Sequence, residues 1–412
     1  MSGEILFLSH RMPFPPDRGD KIRSHHVLRR LARQGPVHVA TFADDERDIS
    51  EEVELAAIAR SYRLVRRVKP LIVAGLQSLL KRQPVSLPAF HSAELTDYVI
   101  QVLAERPISA IYAFSGQMGQ YIPDSFEGRV IYDFVDVDSA KFEAYADKAR
   151  GVERWLYARE GRLLRLEERR LARRSDVSLL VSFEEAALFR GRLAEGEREA
   201  CDVRTLRNGI DSRHFDPAQI EPAAELAAKP GPRLLFSGQM DYAPNVEAAL
   251  RAVDRLLPLV RARLPQATLH IVGRNPVEEL LAQHGKDGVY VWGAVDDMRS
   301  YIAAADVALI PLDIARGVQN KVLEAMAMAL PVVLTSEAAT GIGAQDGRHL
   351  LIADTDEGLA DHVISLAQDP ARASAVGHEA RRFVVDTLSW QATLAPLVDL
   401  LADCAPGSRD AA

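Results

Sequence analysis

Between residues 306 and 335 the chain runs from an apolar stretch through a polar loop and a short apolar helix into a second apolar stretch. That order leaves little freedom in how it can fold. Val307–Pro311 and Pro331–Leu334 are short and continuously apolar, which predicts strands buried on both faces. From about Val318 to Ala329, Leu323 and Met326, with Leu330 just beyond, fall at helical core spacing. Strands joined by a crossover helix pair in parallel. A helix that opens with Gln319, Asn320 and Lys321 sets backbone N–H groups and an ammonium at the carboxyl edge of the sheet, where a phosphate would sit. Glu324 lies one turn further in, among small and apolar residues. A lone carboxylate there needs donors, and the two hydroxyls of a ribose would suit it. The segment also fits an ordinary strand–helix unit with an N-terminal Lys and a surface Glu, so the rest of the chain must separate the two readings.

The same alternation extends in both directions. Strands are predicted at Glu4–Ser9, Val37–Phe42, Ser109–Phe114, Arg129–Phe134 and Val177–Ser182, then at Arg233–Ser237, Ala267–Val272, Val289–Trp292 and Leu350–Ala353, with helices between them. This is an α/β chain of doubly wound parallel sheets. Its 412 residues exceed one ordinary core and predict two domains. Cys201 and Cys404 are too few for a disulfide framework and suit a reducing, cytoplasmic setting. The chain enters a strand at Glu4, which argues against a signal peptide, and no apolar run approaches the ~20 residues of a spanning helix. A formal charge of -8 gives no reason to expect nucleic acid as a partner.

Several motifs together resemble the family-4 (group 1) retaining glycosyltransferases, of fold type GT-B. They are Asn208-Gly-Ile-Asp211 with Phe215-Asp216-Pro217, Arg233–Met240 with its glycine turn, Ile271-Val-Gly273-Arg274, Val291-Trp-Gly293, and the helix Lys321–Ala327. Finer detail lies in Arg11–Arg23, Met240–Asn245 and Arg316–Lys321. It is similar to the sugar transferases of exosortase (PEP-CTERM) exopolysaccharide loci. The resemblance implies two Rossmann-like parallel-sheet domains facing a cleft: an acceptor-side domain over 1–206 and a nucleotide-sugar-binding domain over 207–388. A crossover helix and frayed tail would occupy 389–412. It implies a nucleoside-diphosphate sugar as donor substrate rather than a cofactor, a polyprenyl-linked or other glycan as acceptor, and no metal. It also implies a cytoplasmic enzyme, with a peripheral contact at the inner face of the inner membrane as one option.

Carried onto this chain, the resemblance makes Gly19, Gly238, Arg274, Asn320, Lys321 and Glu324 donor-binding candidates, and Asp136, Lys321 and Arg316 catalytic ones. Gly19 would allow close backbone approach in the Pro13–Lys21 loop, with Arg18 and Lys21 adding charge at a helix that begins near Asp20. After Gly238, a helix starting at Pro244 would use Asn245 as a cap-like side chain. The sequence departs from the family pattern twice. The diphosphate-gripping Arg and Lys of the Gly238 turn are replaced by Gln239 or Met240 and by Pro244-Asn245. Charge neutralisation then passes to Lys321, Arg316 and Arg274. The first Glu of the Glu-x7-Glu signature is Arg316, which grips phosphates or carboxylates but accepts no hydrogen bond. Either a different sugar or an Arg turned to the diphosphate would account for it.

Asp136-Val-Asp138 spells a metal-binding triplet of a different glycosyltransferase fold. Two carboxylates are too few for a metal cage, and Asp138 reads better as the N-cap of the next helix. Asp136 stays divided between a place beside the reacting sugar and a structural role. His10 ends the first strand and points to the same edge. None of the eleven histidines has zinc-protease spacing, and no serine sits in a nucleophile elbow. The basic, apolar segment Arg60–Arg82 reads equally as a surface for an anionic membrane or as a core strand followed by a buried helix. The Arg-rich helix Lys148–Arg174, interleaved with Glu153, Glu160, Glu167 and Glu168, reads as a solvated, ion-paired surface. The function this predicts is retaining sugar transfer in exopolysaccharide synthesis. The rivals are a GT-B nucleotide-sugar 2-epimerase and a non-catalytic polysaccharide-assembly component.

Overall fold

The computed structural model describes residues 3–315 and 318–402. The chain forms two compact units, Met1–Asn208 with Thr393–Ala412, and Gly209–Ala392.

The first unit is built on seven parallel strands: β1 (Glu4–Ser9), β2 (Val37–Ala43), β3 (Ser61–Arg66), β4 (Ile108–Phe114), β5 (Arg129–Val135), β6 (Val177–Leu180) and β7 (Val203–Thr205). Their order is β3-β2-β1-β4-β5-β6-β7. The central strands are buried along almost their whole length because helices cover both faces, which is why their sequences are continuously apolar. The edge strands β3 and β7 are not predicted from sequence, for the same reason inverted. In β3, Arg63 and Arg66 are exposed among half-buried neighbours, so no apolar run announces it.

The second unit carries six parallel strands: β8 (Arg233–Ser237), β9 (Thr268–Val272), β10 (Val289–Gly293), β11 (Val307–Ile310), β12 (Val332–Leu334) and β13 (Leu351–Ile352). Their order is β10-β9-β8-β11-β12-β13. Strand order reverses between β1 and β4 in the first sheet and between β8 and β11 in the second. In open parallel sheets, crevices for ligands open outside the carboxyl ends of such strand pairs.

Several local expectations are corrected. The helix Asp138–Lys148 has Val137 at its N-cap, so Asp138 is its first helical residue rather than the cap. The long helix is Gly151–Arg174, and two of its glutamates are buried rather than solvated. Glu160 accepts the Val85 N–H at 2.8 Å, and Glu168 accepts the Ser139 N–H at 2.9 Å. The helix Leu71–Lys81 is not buried: only Ala74 and Ser78 are covered. From Thr393 the chain belongs to the first unit, where Arg30 and Arg129 donate to the carbonyls of Leu394 and Leu400.

Candidate functional site

Three neighbouring strands of the second unit, β8, β9 and β10, end at glycines on one edge. Gly238 donates its N–H to Val272 at 3.1 Å, and Gly273 donates to Gly293 at 2.8 Å. A Cβ on Gly273 would lie 1.6 Å from the Gly238 carbonyl oxygen, so the two turns can approach only as glycines. Gly238 has its own reason. Its φ is 155°, and a Cβ there would meet the Asn245 amide at 2.8 Å and the Lys321 ammonium at 2.9 Å.

Lys321 stands in the first turn of the helix Asn320–Ala327, which follows β11. Its Nζ donates to Asn245 Oδ1 at 2.6 Å and lies 4.6 Å from the centroid of the Phe236 ring. Asn245 is therefore not a cap. It sits inside the helix Ala243–Arg251, donates to the Gln239 carbonyl and holds the lysine. Burial pushes the Lys321 ammonium down to about 8, against a smaller upward pull from Glu324. Burial in turn raises the Glu324 carboxyl, which accepts no hydrogen bond among the described residues. An ammonium with one neutral partner and a carboxylate with none, at the β8/β11 switch point and beside the first N–H groups of a helix, form a constellation short of ligand partners.

The other donor-side candidates sit around it. Arg274 is exposed and donates to Gln239 Oε1 at 3.1 Å, across the Gly238 turn. Asn320 is exposed at the start of the helix. Arg316 lies outside the described residues. The loop after β11 is held by a residue that no sequence motif points to. Arg251 is buried and donates to Asp313 at 2.6 Å, Asp356 at 2.7 Å and the Pro311 carbonyl at 3.3 Å. An Arg inside a helix shows in sequence neither its burial nor its distant partners.

In the first unit the expectations fare less well. Gly19 opens the helix Gly19–Ala32, and a Cβ placed on it would have no atom within 4 Å. Lys21 is buried and spends its ammonium on Asp48 and the Phe14 carbonyl, so it adds no charge to an anion site. Arg18 pairs with Asp44 at 3.1 Å. His10 is buried and stacked on Phe114, with Nε2 3.5 Å from Asp20; its Nδ1 has no hydrogen-bond partner.

Asp136 is exposed just past β5, and surrounding protein raises its carboxyl despite Lys141 and Arg23. It follows Val135, whose φ of 68° is a left-handed conformation that a β-branched residue adopts only under constraint. A register shift between Asp133 and Val135 marks the same kink and re-aims the chain at Asp136. Behind it is a buried network that the sequence did not reveal. Asp133 accepts Arg23 Nε at 2.9 Å, Arg23 Nη2 at 3.0 Å and the Tyr112 hydroxyl at 2.6 Å, while Arg23 also donates to Asn208. Among the described residues, no three His, Cys, Asp or Glu side chains group so as to hold a metal ion.

The chain resembles known proteins in sequence and in fold. A GDP-mannose-dependent α-(1-6)-phosphatidylinositol monomannoside mannosyltransferase of Mycobacterium tuberculosis is 30% identical over 257 residues. The match covers 57% of this chain and 63% of that enzyme, so the chain spans less than two thirds of its length. A glycogen synthase of the same organism is 27% identical over 202 residues, 46% of each chain. Among solved structures, Anabaena HepE in complex with UDP superposes with a TM-score of 0.58 at 15% identity, covering 97% of this chain and 99% of that one. Sucrose-phosphate synthase of Thermosynechococcus elongatus gives 0.58 at 18% identity, covering 97% and 98%. Residues 231–369, which carry the Gly238 turn, Lys321 and Glu324, match the family model described as glycosyl transferases group 1, and the two parallel-sheet units together have the GT-B fold.

Proposed function

We propose that this protein is a glycosyltransferase that moves a sugar, with retention at the anomeric carbon, from a nucleoside-diphosphate donor to a glycan acceptor. The observation that carries the reading is the Lys321–Asn245–Gly238 cluster with Glu324 one turn away. It offers a cation and helix N–H groups to a diphosphate and an unbonded carboxylate to ribose hydroxyls. The match of residues 231–369 and the nucleotide-sugar enzymes among the relatives support the same class. One relative is named as GDP-mannose-dependent and one structural neighbour was solved in complex with UDP-glucose, so both bases belong in the test.

In this reading the leaving diphosphate gains charge as the sugar departs, and Lys321 with the first helical N–H groups stabilises it without a metal. Arg274 and Arg316 supplement that charge. Asp136, held at the edge of the first sheet by the Val135 kink, is the candidate to stand beside the transferred sugar. A lipid-linked acceptor and a place in exopolysaccharide synthesis extend the reading from the motif resemblance.

Calorimetry with UDP and GDP tests it. Wild type should bind one of them, and affinity should fall as pH rises through about 8, where Lys321 loses its proton. Lys321→Ala should weaken binding by roughly 10-fold or more, as for a charge-assisted contact of ~1.5–3 kcal/mol, and abolish that pH dependence. Glu324→Gln should weaken nucleoside diphosphate but not inorganic diphosphate. Wild-type affinity for both nucleotides in both variants would place the donor elsewhere. Sugar transfer measured in EDTA checks the metal-independent part.

A further inference from the structure

The helix Leu71–Lys81 presents an unusual surface. It contains no acidic residue, and it is buried only at Ala74 and Ser78, one turn apart. Leu71, Ile72, Leu76, Leu79 and Leu80 are left in solvent, Ile72 and Leu80 with 79% and 84% of their surface exposed. A helix apolar on nearly all sides is normally a core helix, and here the core is missing.

The surface does not stop at that helix. Arg159 of the helix Gly151–Arg174 donates to the Ser78 hydroxyl at 3.0 Å and to its carbonyl at 2.8 Å, so the two helices are in contact. One turn before Arg159 on the same helix, Trp155 is 56% exposed, and Leu156 and Val152 are exposed beside it. The helix Asp138–Lys148 adds Tyr145, which is exposed and packs at a tilt against Tyr157 with 5.7 Å between ring centroids. Exposed leucines and isoleucine with an exposed Trp and Tyr on the adjoining hairpin have the composition of a membrane–water interface.

Charge decides between occupants. Lys81 and Arg82 end the exposed helix, and Lys148, Arg150 and Arg154 surround the tip of the helical hairpin, all five exposed. The acids near that tip are Asp147 and Glu153, both exposed. Lys69, just before the helix, is half-buried and donates to the Pro88 and His91 carbonyls, so it is not one of these free cations. No helix among the described residues is long and apolar enough to cross a membrane.

We infer that the helix Leu71–Lys81 and the hairpin tip around Trp155 form one peripheral docking surface for an anionic lipid membrane, with the leucines and Trp155 in the interface and the flanking cations on the headgroups. This stands independently of the nucleotide-sugar reading.

Flotation of the full chain with vesicles of phosphatidylcholine alone, or mixed with phosphatidylglycerol, tests it. The protein should float with the anionic vesicles, less with neutral ones, and less again as salt rises. Ile72→Asp/Leu80→Asp should abolish flotation with an unchanged thermal melt, since both positions are solvent-exposed. Lys81→Glu/Arg82→Glu should weaken it by ~5-fold or more per charge. Brominated lipid should quench tryptophan fluorescence in wild type and much less in Trp155→Phe. Failure to float, or flotation of the Asp variant like wild type, overturns the proposal. So does a wild-type dimer in lipid-free sedimentation that the Asp variant dissociates, because a second copy would then be the occupant. UDP and GDP binding without vesicles reads the proposed function separately.

Discussion

At the scale of single residues, two glycines with the same sequence appearance have opposite meanings. Gly273 is pressed against the Gly238 carbonyl, and an added Cβ would have to displace the backbone of a neighbouring strand end. Gly273→Ala should therefore destabilise the second unit by about 2–4 kcal/mol, read as a fall in denaturant midpoint at constant slope. Gly19→Ala meets nothing and lies at a helix start. It should leave stability unchanged or raise it by up to ~1 kcal/mol through the unfolded state. Equal effects at the two positions would contradict the packing described. Lys321 and Glu324 were legible as a pair because helix periodicity places residues three apart on one face. Asn245 as the lysine's partner was not legible, because 76 residues separate them and only the β8–β11 adjacency brings them together. Arg23 and Asp133, 110 residues apart, were hidden in the same way.

At the scale of elements, the helical hairpin of the first unit depends on buried carboxylates that the sequence presented as surface charge. Glu168 is buried against Ser139, and burial pushes its carboxyl up to about 7, with the Ser139 hydrogen bonds opposing. Its folded value lies above the ordinary 4.5, so the folded state binds more protons between those two values. Stability from this group is fully present below 4.5 and is lost as pH rises through about 7. Wild type should lose stability over that window, and Glu168→Gln should flatten that part of the profile. Thermal melts across the window check this, and an unchanged slope in the variant would remove Glu168 as the cause. Strand positions were mostly legible because a parallel sheet buried on both faces writes continuous apolar runs. Edge strands β3 and β7 wrote none. The helix Leu71–Lys81 wrote an apolar run without being buried. Composition records what a segment could bury, and only the fold decides whether anything covers it.

At the scale of the whole molecule, the chain leaves its first unit at Asn208 and returns to it at Thr393. Leu394, Leu397, Leu400 and Leu401 are all nearly fully buried on the return. At roughly 1.5–3 kcal/mol for each buried leucine, their loss rivals the ~5–15 kcal/mol that stabilises an ordinary domain. A chain ending at residue 392 should lose the cooperative transition of the first unit, whereas the fragment Gly209–Ala392, which has its own core, should melt cooperatively by itself. Calorimetry on both decides the matter, and a truncated chain melting like the full one would refute it. The parallel α/β class, the approximate positions of the central strands and the placing of Lys321 and Glu324 one turn apart on a helix all followed from the sequence by itself. Each depends on periodicity and on neighbours within a few turns. Tertiary structure alone decided that Lys21 is buried on Asp48, that Gly273 must be glycine, and that Arg251 braces the loop after β11. Those outcomes depend on which distant segments the sheet order makes adjacent, and adjacency across a sheet leaves no period in the chain.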